Sequence, residues 1–283
     1  MRARRPGRLG VPDRRAALAA PGEADGFVSR LEHAGGRQLH LRRRLGDPAA
    51  TPWVMLHGLA VSHRYLMPTA RRLGPGSVSV PDLAGFGLSG KPATVLNVGE
   101  HAEAVAGLMD TLGIDRAAVL GNSFGCQVAA ELAVRRPDLV GALILVGPTT
   151  DPAAATVWGQ TRRLLRDLIH EDVRQAPILA RDIREAGARR ILTTLGYAVA
   201  DDIYGKLPAI QAPALLLRGS RDPIAPQSWL ERMAERLARV SVVTIDGAAH
   251  NVVTTAGAET AAAVRGFVES HGGGATSAPK PPA

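Results

Sequence analysis

Ala117-Ala118-Val119-Leu120-Gly121-Asn122-Ser123-Phe124-Gly125 sets a short apolar run of buried-strand type directly against a glycine-flanked serine, and Phe124 to Arg136 continues at helical spacing. A strand, a sharp turn and a helix in that order raise a serine hydroxyl above the end of a sheet. The pattern G-x-S-x-G is weak alone: with 31 Gly in 283 residues, chance supplies one match in about one chain in eight. The flanking sequence therefore has to carry the reading.

Working outward, Phe27–His33 and Gln38–Leu45 read as two strands joined by the hairpin signal Ala34-Gly35-Gly36-Arg37, and Trp53–Leu56 as a buried strand. Next come a helix from about Tyr65 to Leu73, strand Ser77–Val80, helix His101–Leu112, strand Ala117–Leu120, helix Phe124–Arg136 and strand Ala142–Val146. This alternation predicts an α/β fold with a mostly parallel sheet covered on both faces. From 150 to 207 the sequence has helical patterns and no convincing strand, which predicts an inserted helical cap. Pro177 separates two of its apolar stripes. Strand Ala214–Leu217, helix Gln227–Leu237, strand Val240–Ile245 and helix Ala256–Glu269 complete the pattern. The expected organisation is a basic, disordered leader (1–26), a core in two pieces (27–149 and 208–270), the cap (150–207) and a Gly/Pro-rich disordered tail (271–283).

The 283 residues, 46% hydrophobic, suffice for one large buried core. The formal charge of +8 invites a nucleic-acid reading, but six arginines between Arg2 and Arg15, set against Asp13, supply +5 of it and leave +3 for residues 16–283. The excess charge belongs to a solvated leader, and neither nucleic acid nor membrane is expected as a partner. Ala16–Ala20 is too short for a secretion-signal core, and no apolar run approaches a bilayer span. With Cys126 as the single cysteine, no intrachain disulfide or thiolate metal cluster forms. A cytoplasmic protein without metal or cofactor is the expectation.

A serine hydroxyl attacks at neutral pH only when a base takes its proton, and that base must be held in one tautomer by a third group. Ligand sites of open parallel sheets lie beyond the carboxyl ends of the strands. Ser123, Asp222 and His250 each follow a predicted strand at that edge. His250 alone of eight histidines lies just beyond the final strand; for the acid, Asp151 rivals Asp222, which stands in the tight turn Arg218–Pro223. Acyl transfer also needs donors aimed at the developing oxyanion. The backbone N–H groups of Phe124 and of Leu59, the latter after Trp53–Gly58, are the candidates, with His57 orienting the loop.

Leu56-His57-Gly58-Leu59, Asp82 through Ser89, the elbow, Arg218–Asp222 and Asp246–His250, in this order, resemble the α/β-hydrolase superfamily over roughly Phe27–Val268. The resemblance implies an eight-stranded, mostly parallel twisted sheet with a helical cap after the sixth strand. It implies Ser123 as nucleophile, Asp222 as orienting acid and His250 as base, with Asp82–Ser89 a structural turn.

Ser123 argues against the members that carry Asp at the elbow. The Gly-Asn-Ser-Phe-Gly elbow resembles the carbon–carbon bond hydrolases of vinylogous diketones, in which an aromatic residue commonly follows the histidine and the cap supplies an arginine. Here Asn251 follows His250, and Arg162, Arg163, Arg181 and Arg184 read as solvated helix faces. The expected activity is cleavage of a carboxylic ester or related acyl bond of a small to medium apolar molecule through an acyl-enzyme, with Met67 and Trp158 among the pocket wall residues. Carbon–carbon hydrolysis and non-catalytic ligand binding on the same fold are the alternatives.

Overall fold

The computed structural model describes residues 25–151 and 175–271. Strands β1 (Val28–Ala34) and β2 (Arg37–Arg44) form an antiparallel hairpin closed by Gly35 and Gly36, both at positive φ, the backbone that a two-residue hairpin turn requires. The chain continues through β3 (Trp53–Leu56), α1 (His63–Ala70), β4 (Val78–Pro81), α2 (Val98–Thr111), β5 (Ala117–Asn122), α3 (Phe124–Arg135) and β6 (Val140–Val146). After the undescribed stretch come α4 (Ala176–Ala186), α5 (Ala188–Ala200), α6 (Ile203–Lys206) and a 3-10 turn (Leu207–Ala209). The order ends with β7 (Ala214–Gly219), α7 (Gln227–Ala234), β8 (Val240–Ile245), α8 (Val252–Thr255) and α9 (Gly257–His271).

The eight strands form one sheet in the order β1-β2-β4-β3-β5-β6-β7-β8. β2 pairs antiparallel with β1 and β4; from β4 through β8 every pairing is parallel. Successive side chains point to opposite faces, and both faces are buried. Val54, Leu56, Val119, Leu143 and Leu216 face the layer built by α2, α3 and α7. Met55, Leu120, Ile144, Leu215 and Leu217 face the layer of α1, α8 and α9. Between β6 and β7 the described residues are helical, and Ala186, Ala198, Ile203 and Leu207 join the first layer.

Two helix starts differ from the periodicity for local reasons. α1 begins at His63 because the Ser62 side chain accepts the Arg64 N–H as N-cap. α2 begins at Val98, three residues before the expected start, because Asn97 and Glu100 form a reciprocal capping box. The expected final helix is found as α9, and the structure adds the short α8 ahead of it; between them Gly257 lies against α1, where a Cβ would come within 2.8 Å of the Pro68 backbone. Among the described residues no helix is long and apolar enough to cross a membrane.

Candidate active site

β5 ends in the elbow. Ser123 sits at φ 55°, ψ −119°, a conformation that non-glycine residues rarely hold and that persists only where the surroundings fix it. Its N–H donates to Val146 O of the neighbouring strand at 2.9 Å, and its carbonyl accepts from the Cys126 N–H at 2.9 Å. The turn is so tight that a Cβ on Gly121 would lie 2.2 Å from Gly125 O, and one on Gly125 2.3 Å from Leu56 O. Glycine is thus a steric requirement at both positions. Ser123 remains half-exposed while the residues on either side are buried. Cys126 is wholly buried with Sγ against Gly121 O and Val146 O, and burial pushes its thiol up, so it is an inert apolar group.

Asp222 follows β7 and His250 follows β8. His250 Nδ1 lies 2.9 Å from Asp222 Oδ2, while Asp222 Oδ1 accepts the N–H groups of Ile224 at 2.8 Å and Ala225 at 3.0 Å. Burial works to raise the Asp222 carboxyl, but the His250 charge and these three hydrogen bonds outweigh it and hold it below its ordinary value. An ionised carboxylate only accepts, so Nδ1 carries a proton in either charge state of the ring, and Nε2 is the nitrogen left to exchange one. Arg218, itself buried, fixes the Asp222 loop by donating to the carbonyls of Asp222 and Ala225. The rival Asp151 is also buried, but it pairs with Arg232 of α7.

Gly147, directly after β6, lies between these groups. A Cβ there would lie 2.9 Å from His250 Cε1 and 3.3 Å from Asp222 Oδ2, and the preceding residue, Val146, is the one that accepts the Ser123 N–H. The space that Gly147 leaves is thus what brings the histidine–aspartate pair against the strand that holds the serine.

The loop after β3 closes on the serine from the other side: a Cβ on Gly58 would lie 3.1 Å from Ser123 Cβ and 3.5 Å from Oγ. Buried His57 accepts the Leu83 N–H at Nε2 (2.9 Å), so its proton is on Nδ1, 2.8 Å from Gly58 O. Burial pushes this imidazole down, which keeps it neutral. Gly58 C=O and Leu59 N–H belong to one trans peptide and point opposite ways, so the bond to His57 turns the Leu59 N–H away from His57. The Phe124 N–H, at the first position of α3, has no helical acceptor four residues back.

The remaining sequence candidates fall elsewhere or outside. Met67 is buried in the apolar layer with Val61, Leu66 and Val252, a different cluster from that of Phe124, against which Leu59 packs. Trp158, Arg162 and Arg163 lie outside the described residues. Arg181 pairs with Glu185 along α4, and Arg184 is exposed. Among the described residues of the insert, Arg190 of α5 reaches the core: it donates to Pro92 O at 2.7 Å and packs over Gly85. No carboxylate pairs with it among the described residues.

His40, His63 and Asp82 are the described side chains that most resemble a metal-ligand set, each offering one ligand atom within 4.8 Å of the others. Their chemistry is that of a hydrogen-bonded lock. The Asp82 carboxylate takes His40 Nδ1, His63 Nδ1, the His63 N–H and the Leu88 N–H, all at 2.7–3.0 Å, which ties β2, α1 and the turn after β4 together.

The model of the alpha/beta hydrolase family matches residues 53–263. The chain is 24% identical to 2-(acetamidomethylene)succinate hydrolase of Mesorhizobium japonicum over 89% of its own length and 99% of that protein. It is 30% identical to 2-hydroxymuconate semialdehyde hydrolase of a Pseudomonas species over 71% of its own length and 81% of that protein. The crystal structure of a membrane phospholipase A, described as a bacterial virulence factor, superposes with a TM-score of 0.76 at 25% identity, covering 92% of this chain and 93% of that one. With the eight-stranded sheet and the serine elbow in the family's order, the chain belongs to the α/β-hydrolase family.

Proposed function

We propose that this chain is a serine hydrolase that cleaves a carboxylic ester, or a related acyl bond, of a small to medium apolar substrate through an acyl-enzyme. The observation that carries the proposal is the Asp222–His250 pair set across Gly147 from the strand to which the strained Ser123 is bonded. In this reading His250 Nε2 takes the Ser123 Oγ proton as the oxygen attacks the acyl carbon, and Asp222 stabilises the imidazolium. The oxyanion of the tetrahedral intermediate faces the Leu59 and Phe124 N–H groups. Collapse expels the alcohol with the proton from His250, and water, activated by the same base, releases the acid. Every step uses groups of the chain, with no cofactor or metal.

A second reading, hydrolysis of a carbon–carbon bond in a vinylogous diketone, draws on the 2-hydroxymuconate semialdehyde hydrolase relative and on Arg190, a half-buried cation with no carboxylate partner among the described residues. Asn251, where an aromatic residue would support that chemistry, favours ester cleavage. The test is a panel of esters varied separately in acyl and alcohol portions, with a vinylogous diketone included and Ser123→Ala as blank. Ester turnover that vanishes in the blank supports the proposal. Faster turnover of the diketone than of any ester promotes the second reading. Binding without turnover would leave the chain a ligand-binding member of its family.

A further inference from the structure

α4 lies mostly open to solvent, yet the side chain it buries most deeply is a carboxylate: Asp182 is 1% exposed. A carboxylate is seldom buried unless it is paired. Its partners are on a distant part of the chain. Oδ2 accepts the Ser62 hydroxyl at 2.8 Å, and Oδ1 pairs with Arg64 Nη1, which also reaches Glu185 at 3.0 Å and Ser62 Oγ at 3.3 Å. Burial raises the Asp182 carboxyl by more than Ser62, Arg64 and the nearby His57 lower it.

Ser62 is wholly buried and caps α1, three residues after Leu59. Between them Ala60 is held at φ 62°, a left-handed conformation that costs an L-residue about 1 kcal/mol and needs external support. One end of this turn is fixed by His57 through the Gly58–Leu59 peptide, and the other by Ser62. The fixing group at the second end comes from the helices inserted between β6 and β7.

We propose that Asp182 is a positioning residue for the oxyanion loop: docking of α4 holds Ser62 and Arg64, and through them the Leu59–Ser62 turn that presents the Leu59 N–H. This rests on the serine-hydrolase reading and adds a coupling to it.

The test compares Asp182→Ala, Asp182→Asn and Ser62→Ala with wild type in kcat and KM for a p-nitrophenyl ester and in affinity for a trifluoromethyl ketone, whose serine adduct carries an oxyanion. Asp182→Ala and Ser62→Ala should lower kcat and ketone affinity together by about tenfold, with KM changed by less than about twofold. Asp182→Asn keeps an acceptor for the Ser62 hydroxyl but loses the one for Arg64, so it should recover part of both. Arg181→Gln, which removes only the outer pair with Glu185, should match wild type. A loss confined to KM, or kcat and ketone affinity unchanged, overturns the inference. Should Asp182→Ala fail to fold, Ser62→Ala and Asp182→Asn decide alone: a joint loss of kcat and ketone affinity in the first that is smaller in the second supports it, and wild-type values in both overturn it. A wild type that neither turns over esters nor binds the ketone defeats the serine-hydrolase reading and this inference with it; an active wild type matched by the variants defeats this inference only.

Discussion

The Nδ1 of His57 lies 2.8 Å from the carbonyl oxygen of Gly58, one end of the peptide whose other end is the Leu59 N–H. A buried neutral imidazole thus sets the plane of the peptide assigned to the oxyanion. Its tautomer is in turn set by the Leu83 N–H at 2.9 Å. His57→Ala should lower kcat by about a hundredfold, within the range for loss of an oxyanion donor, with little change in KM. Steady-state kinetics on the best ester of the panel check this, and an unchanged kcat would detach His57 from the reaction.

Gly147 gives a steric test of the histidine–aspartate pair. At φ 58° an added methyl costs about 1 kcal/mol in backbone strain, and it would lie 2.9 Å from His250 Cε1. Gly147→Ala should therefore fold with a modestly lower Tm and lose at least about tenfold in kcat, because the ring must move. Gly113, at φ 65° with nothing among the described residues within 4 Å of an added Cβ, is the control. Gly113→Ala should lower Tm and leave kcat intact; calorimetry and kinetics on both separate strain from displacement of the base.

His101 predicts a pH dependence of stability. It is 1% exposed, packed edge-on against Phe124, with neither ring nitrogen hydrogen-bonded among the described residues. Burial lowers it from 6.5 to about 3. Between those values the unfolded chain binds a proton that the folded chain does not, so this contribution is complete above about pH 6.5 and is lost as pH falls toward about 3. Urea midpoints measured from about pH 7 to about pH 4 should fall in wild type and flatten in His101→Leu, which removes the titrating group and two unsatisfied nitrogens. Parallel curves would contradict the assignment.

Asp82 acts over a lower window. Burial works to raise its carboxyl, but His63, His40 and their hydrogen bonds hold it well below 3.8. Because the folded pKa is depressed, the contribution is present above the unfolded value and is lost as pH falls through the folded one. Asp82→Asn should cost about 3 kcal/mol or more near neutrality, by stripping the charge from a buried, fully bonded cluster. It should also weaken the acid dependence of unfolding below about pH 4, followed by circular dichroism.

How much of this was legible in the sequence follows from the range of each interaction. The β5–elbow–α3 unit could be read because strand alternation, two glycines and a helical stripe are local signals. Asp222 and His250 could be read because a parallel sheet delivers every post-strand loop to the same edge. The early start of α2 was written in Asn97 and Glu100, a local signal that apolar periodicity alone passes over. Nothing local marks Gly147; that it makes room for His250 depends on the loop after β8, about a hundred residues further along the chain. The Ser62–Asp182 bond spans 120 residues and joins a cap serine to a helical aspartate. Nothing in the spacing distinguishes that aspartate from an exposed one. Arg190 was likewise indistinguishable by sequence from Arg181 and Arg184, since only tertiary packing decides which helix face meets the core.

The most direct test of the central claim is reaction of the full chain with a fluorophosphonate, followed by peptide mass spectrometry. The account predicts one stoichiometric adduct, located on Ser123, absent in Ser123→Ala and strongly slowed in His250→Ala. Failure of wild type to react, or an adduct elsewhere that forms equally fast in Ser123→Ala, would contradict it.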